Sequence, residues 1–541
     1  MGTRFPDQFS LADYFLYDRL NEGLGDKPAM LFGERRYSYQ QITDKSRALG
    51  RYLQSIGVRQ EERVYIVLPD MPPFVWSIFG TWSAGAVLAM GNPSSPLDDL
   101  DYVINYTGAS ILITLPAVAE ALAPQLLANS RLRAVLLAPD VATGDDPEQA
   151  TSIPASLQGA TFDVLSLSDA ITHGSQLDLP APQLHRDDMA CWLFTSGSTG
   201  RPKAAMHTQR DFAFNTEVYA KGTVGYQRDD ITVSVPRLFF GYATGTNLLF
   251  PFSVGATTAL FSEAPRPDSL ASAIEMYRPT IITNVPTMLG KLLVEKPDLN
   301  LSSVRFQLSA GEALPPTLLE KFNEHFGCDN IYDGIGSAEM FHIYCSNRPG
   351  DIKPGSLGRS VEGYQLKILP SDASGPGAEE LPPGETGVLW VKGDSVALGY
   401  HKDRDKSWRT FHGHWCCTGD LFSKDKDGYL WFSGRADDLM KVNGRWMAPQ
   451  EVEDCLLQHA AVAACAVIPK DVDGLTKPKA LVVLMDAHKG REGDELIEEL
   501  QQHVLNSIAK HKYPRLIEFV ADLPKNDRGK VDRKALMERE S

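Results

Sequence analysis

Residues 195–203 read TSGSTGRPK. Consecutive small residues let neighbouring backbone N–H groups turn toward one point, and the Ser and Thr hydroxyls add further donors. Lys203 ends the run with a positive charge. A phosphate is the natural occupant of such a nest. The spacing is not that of a Walker A loop, because no Gly-Lys-Ser/Thr follows Gly197 at the required distance. The apolar run MACWLF (189–194) just before it reads as a buried strand, so the expected local order is strand, phosphate loop, helix. A second concentration of charge lies near the other end. From AKHKYPRLIEF to LPKNDRGKVDRKAL, Lys and Arg gather in a chain whose formal charge is −16, which reads as a positive cap for a small polyanion. GIGSAE (334–339) has the outline of a dinucleotide fingerprint, but Glu339 stands where its last glycine belongs.

The elements that must position these groups are those of an α/β protein. RVYIVLPD (63–70), AVLAMGNP (86–93) and ASILITL (109–115) read as short buried strands, and 39–57 and 71–85 as helices. That alternation predicts parallel sheets covered by helices. After about residue 355, turn residues between short alternating strands predict a small antiparallel β-unit. QEVEDCLLQHA, VAACAVIP, KALVVLMD and a helix near 493–510 then predict a small α+β domain. The expected division is 1–436 and 437–541. The chain has 541 residues, 43% of them apolar, enough for two or more domains. Its acidity disfavours a nucleic-acid partner. No apolar run reaches membrane-span length and 1–30 lack a signal-peptide pattern, so no membrane association and a cytoplasmic location are expected. Seven cysteines, scattered and without Cys-x-x-Cys, argue against a disulfide framework and a structural zinc site.

Taken in order, the motifs resemble those of the adenylate-forming superfamily of acyl- and aryl-CoA synthetases, luciferases and peptide-synthetase adenylation domains. TSGSTGRPK resembles its phosphate loop, SAGEALP (309–315) its adenine-side segment, and YDGIGSAEM (332–340) its aromatic…Thr-Glu segment, with Ala338 where threonine is usual. CCTGD (416–420) matches its Thr-Gly-Asp, GRADDLMKVNGRWMAPQEVE (434–453) its hinge, and PKNDRGKVDRKAL (525–537) its terminal lysine motif. The resemblance spans nearly the whole chain.

The resemblance implies a carboxylate attacking the α-phosphate of ATP with Mg²⁺, and then thiol attack on the adenylate by coenzyme A. By the same likeness Thr195, Ser196, Gly197, Ser198, Thr199, Gly200 and Lys203 would hold the phosphates. Gly311 and Glu312 would flank adenine, with Tyr332 stacked on it and Asp333 beside it. Asp420 would accept the ribose hydroxyls and Arg435 would lie near ribose and phosphate. Glu339, with Thr195, would hold the metal. Lys530 would bridge carboxylate and α-phosphate. Asp437 is the implied hinge, with Lys441 and Gly444 along the pantetheine channel.

LFFGYATG and GSAEMFHIYCSN strongly resemble benzoate-type aryl-CoA ligases. The implied acid pocket comprises Phe239, Gly241, Tyr242, Gly336, His342 and Ile343. Gly241, where such ligases often carry alanine, leaves room for a ring substituent such as the amino group of 2-aminobenzoate. The partners implied are a small aromatic acid, ATP and coenzyme A; the oligomeric state, homodimer included, stays open. The rival reading is a stand-alone adenylation enzyme that loads a carrier protein's phosphopantetheine arm.

Overall fold

The computed structural model describes every residue except 1–4, 197–200, 443–444, 473–474, 509, 511, 525–530 and 541. Two large sheets dominate the first 360 residues. The first has seven strands in the spatial order 163–166, 134–137, 111–114, 63–67, 87–91, 189–196 and 202–208. Its strands run parallel apart from the last, which returns antiparallel. The second sheet has nine strands. Its centre (306–309, 281–284, 231–234, 257–260) is parallel, and antiparallel pairs close both ends. The central strands of the first sheet (RVYIV, VLAMG, ILIT) are nearly continuous apolar runs, as strands buried on both faces require.

The expected helices form at Tyr39–Ser55 and Pro72–Ser83. Ser38 caps the first through a reciprocal capping box with Gln41. The second is apolar on every side and almost wholly buried, so it lies inside the core rather than on it. Phe79 stacks on Phe252 across the two halves at 5.7 Å and 3°, and one core runs from Leu11 through Trp82 to Phe306 and Tyr344. The two α/β halves are therefore fused into one large domain.

A five-stranded, antiparallel sheet between 365 and 435 follows. Beyond it, the helix Pro449–Leu456, the strands Val462–Val472 and Leu475–Leu484, and the helix Asp494–Ser507 enclose a separate core around Val452, Val482 and Leu500. Ala448 packs on Leu369, Trp390 and Leu421 of the preceding sheet. Among the described residues no helix is long and apolar enough to cross a membrane, and all seven cysteines are free.

Candidate active site

The phosphate-loop segment departs from the expected local order. The strand Met189–Ser196 is followed by a second strand, Pro202–Thr208, paired antiparallel with it so that Thr195 lies opposite Lys203. The first helix, Gln209–Asn215, starts only after that strand. AAMH lies between two β-partners, so sheet pairing overrides the helix expectation. Among the described residues, Lys203 is therefore presented from a strand rather than from a helix N-terminus. Gly197, Ser198, Thr199 and Gly200 lie outside the described residues, as do Gly444 and Lys530; Lys441 sits in the strand Met440–Val442.

Lys203 is four-fifths buried, and its ammonium pairs with Asp403 at 2.8 Å. That pairing is the main cause holding the Asp403 carboxyl below its ordinary range. Glu339 is half-buried in a short turn (Ala338–Met340) between the strands Ile331–Gly336 and Ile343–Ser346. Glu339 Oε1 accepts the Tyr400 hydroxyl at 2.7 Å. The turn is also held from below: His207, fully buried, joins Asp211 at 2.9 Å and the Ala338 carbonyl at 2.6 Å. Phe341 sits at φ +66°, a conformation that costs about 1–3 kcal/mol for a residue with a side chain and concentrates at ligand-binding turns.

Glu339 Oε2 and the Thr195 hydroxyl are hard oxygen donors, and no cluster of three metal-ligating side chains occurs among the described residues. Such a donor set does not make a metal cage. It does fit Mg²⁺, which keeps waters and is commonly held by one carboxylate together with substrate phosphates.

Asp420 and Arg435 are opposite one another on adjacent strands and paired at 2.8 Å; Arg435 also reaches Asp437 at 3.3 Å. Burial acts to lower the guanidinium, but the two carboxylates raise it above its ordinary value. Asp437 itself is exposed, in the single turn Ala436–Asp438. Gly311 has φ +93°, which only glycine adopts at ease. Glu312 beside it accepts from Thr287 N–H and Oγ1.

Tyr332 requires a correction. It is 3% exposed and its ring lies 5.3 Å from Phe306 in the main core. A ring enclosed on both faces cannot stack on a nucleotide. Side chains alternate along a strand, and the half-exposed positions of this one begin at Ile335. Asp333 is likewise buried, which pushes its carboxyl up to about 8, so it forms part of the interior beneath the site.

Of the expected acid-pocket residues, Gly241, Tyr242, Gly336, His342 and Ile343 lie together, while Phe239 packs on its neighbour Phe240 and against the main core. Gly336 pairs with Ile343, and a Cβ at 336 would strike the His342 backbone at 2.5 Å. His342 Nε2 donates to the Tyr242 carbonyl at 2.9 Å, and the two rings lie 5.3 Å apart. Burial holds the imidazole down to about 3, so the ring is neutral. His342 Nδ1, Tyr242 OH and Ser337 Oγ are buried with no hydrogen-bond partner among the described residues, the kind of orphan that a ligand's polar group satisfies. A Cβ on Gly241 would meet Leu193 Cδ1 at 3.3 Å and the Phe341 carbonyl at 3.4 Å. Sequence reasoning missed Leu193, His207, Gly245, Tyr400 and Asp403. Only Gly245, four residues after Gly241, left a trace in the sequence.

Residues 17–401 match the AMP-binding enzyme family and residues 451–530 the AMP-binding enzyme C-terminal domain. A benzoate–CoA ligase of Thauera aromatica is 33% identical over 98% of this chain and 96% of its own length. An anthranilate–CoA ligase of Pseudomonas aeruginosa is 34% identical over 88% and 86%. Among solved structures, an anthranilate CoA ligase in complex with anthranoyl-AMP superposes with a TM-score of 0.87 at 34% identity, covering 99% of this chain and 98% of that one. A benzoate CoA ligase from Burkholderia xenovorans does so with 0.83 at 33% identity, covering 98% and 99%. Matched over most of its length in sequence and in fold, this chain belongs to the AMP-binding enzyme family.

Proposed function

We infer that this chain is an AMP-forming acid–thiol ligase that converts a benzoate-type acid to its CoA thioester. In the first half-reaction a carboxylate oxygen attacks the α-phosphorus of ATP, and the bond to pyrophosphate breaks. In the second, the CoA sulfur attacks the acyl carbon and AMP leaves. The first half joins two anions, so the chain must gather positive charge and donors around them. Lys203 and the loop 195–200 take the β- and γ-phosphates, Asp420 the ribose hydroxyls, and Arg435 lies alongside. Gly311 and Glu312 flank the base. Lys530 meets the carboxylate as it reaches phosphorus. Glu339 with Thr195 would hold Mg²⁺, which would supply neutralisation of the phosphate charge.

The observation that carries the aromatic reading is the stretch 336–343. Eight consecutive residues supply both the Glu339 carboxylate and, through Gly336, His342 and Ile343, a neutral wall against Tyr242 and Gly241. A short uncharged wall beside the reacting centre suits a flat acid. Gly241 favours substituted rings, 2-aminobenzoate among them. Loading of a carrier protein is not favoured, since the full-length relatives are CoA ligases. We place the domain boundary at 436/437, with Asp437 the hinge and Lys441 and Gly444 on the thiol's path. The support is that Asp437 is exposed between the two matched family regions. A cytoplasmic location suits free cysteines and the supply of ATP and CoA.

ATP–pyrophosphate exchange over benzoate, aminobenzoates, hydroxybenzoates and octanoate, followed by thioester assay with free CoA, tests this. Benzoate or 2-aminobenzoate should exceed octanoate by at least ~10-fold in kcat/KM, about 1.4 kcal/mol. Equal turnover of octanoate refutes the aromatic reading. A product formed only with a carrier protein refutes CoA as acceptor.

A further inference from the structure

The segment ALGYHKD, residues 397–403, joins the two charged ends of the nucleotide site. It runs alongside Pro202–Thr208 as an extra strand. Leu398 N–H donates to the Met206 carbonyl at 2.8 Å, Met206 N–H to Gly399 at 3.0 Å, and His401 N–H to Ala204 at 3.0 Å. Ala205 and Tyr400 are bridge partners. This ladder begins one residue beyond Lys203, whose ammonium the segment's own Asp403 holds. At its other end Ala397 N–H donates to the Glu339 carbonyl at 2.9 Å, while the Tyr400 hydroxyl donates to Glu339 Oε1 at 2.7 Å. Backbone and side chain of Glu339 are thus both tied to one short strand.

We propose that Tyr400 is a positioning residue for the metal carboxylate. Its hydroxyl occupies Oε1 and fixes the Glu339 rotamer, leaving Oε2 as the oxygen offered to Mg²⁺. Tyr400 is built for this task. It is 7% exposed, its ring packs on Phe411 at 5.2 Å, and its N–H is bonded to Ser407 Oγ at 2.9 Å. At 2.7 Å from a carboxylate oxygen, which can only accept, the hydroxyl is the donor. An outer partner of this kind orients a ligating oxygen that would otherwise sample several rotamers, and its loss typically lowers metal affinity by about 10–100-fold. Because the same strand carries Asp403, the carboxylate and the phosphate-binding ammonium are set in register by one element.

This inference rests on Glu339 as metal ligand, and the experiment separates the two ideas. In the full-length protein with a non-hydrolysable ATP analogue, Mn²⁺ binding is followed by EPR for wild type, Tyr400→Phe and Glu339→Gln. The phenyl ring preserves packing, and Glu339 is only partly buried, so the variant should fold with an unchanged circular dichroism spectrum. Tyr400→Phe should weaken Mn²⁺ roughly tenfold, with metal-free binding of the analogue unchanged and adenylation restored toward wild type by raised Mg²⁺. Wild-type Mn²⁺ affinity in Tyr400→Phe, with a weakened Glu339→Gln, overturns the positioning role alone. Wild-type affinity in both overturns Glu339 as ligand and the inference with it. Equal weakening of metal-free and metal-bound nucleotide places Tyr400 in general support of the pocket and overturns its action through the carboxylate.

Discussion

Gly245→Ala tests whether the His342 wall forms the acid site, because the structure fixes what the added methyl must displace. A Cβ at 245 would lie 2.5 Å from His342 Cδ2, 2.6 Å from Nε2 and 3.0 Å from Phe250 Cζ. Ordinary contact begins near 3.4 Å, so the imidazole must retreat by about 0.9 Å. The ring is 3% exposed and wedged among Tyr219, Tyr242, Phe250 and Phe341. It cannot swing into solvent, and the movement falls on its 2.9 Å bond to the Tyr242 carbonyl. Overpacking and a strained buried hydrogen bond each cost ~1–3 kcal/mol, and so a fall in Tm of several degrees is expected. A shift approaching 1 Å in a substrate-positioning group lowers kcat/KM by roughly 10²-fold. The loss should fall on the aryl acid, while the KM for ATP stays within about twofold because the phosphate contacts lie elsewhere. The assay is steady-state kinetics with benzoate and ATP varied in turn, beside differential scanning calorimetry. Gly241→Ala is the internal comparison: its methyl meets only a Leu193 terminus at 3.3 Å and a carbonyl at 3.4 Å, so a folded protein with less than ~10-fold loss on benzoate is expected. A folded Gly245→Ala with wild-type kcat/KM would remove His342 from the acid site.

Gly241→Leu, which adds a branched chain where a single methyl already touches Leu193, should abolish turnover of ring-substituted benzoates; unchanged kinetics would show that position 241 does not line the site. Asp333 is pushed up to about 8 by burial. The native state therefore holds a proton there that the unfolded chain, with an ordinary carboxyl near 3.8, has already released, so its stability falls as pH rises from about 4 to 8. Asp333→Asn should then raise Tm relative to wild type more at pH 8.5 than at pH 6, and a pH-independent difference would refute the buried-acid reading. Lys530→Ala should slow adenylation by on the order of 10²-fold, about 2.7 kcal/mol, and leave thioester formation from prepared aryl-adenylate and CoA within about threefold of wild type. Equal loss of both half-reactions in rapid-quench experiments would make Lys530 a structural residue of the tail.

What the sequence made legible, and what it hid, follows from the range over which each cause acts. The helices and central strands were readable because periodicity and apolar runs are local, and Pro72–Ser83 betrayed its burial by having no polar face. The phosphate loop was recognisable by composition, but the element after it was not: 202–208 is a strand because 189–196 on one side and 398–401 on the other pair with it, and the second of these partners lies far along the chain. Tyr332 failed in the same way. Its motif placed an aromatic near the nucleotide, and only strand alternation, set by the register of Leu308 with Tyr332, decides that its ring faces Phe306. Glu339 could be found by its motif, whereas Tyr400 and Asp403, which hold Glu339 and Lys203, could not. They are 61 and 200 residues away from their partners, and a tyrosine in a turn-rich stretch carries no pattern of its own. A residue that meets substrate leaves a compact motif, because several donors must converge within a few ångströms. A residue that positions it needs only one correctly placed atom, delivered by a strand from anywhere in the chain, and such a residue becomes visible only when the pairing is known.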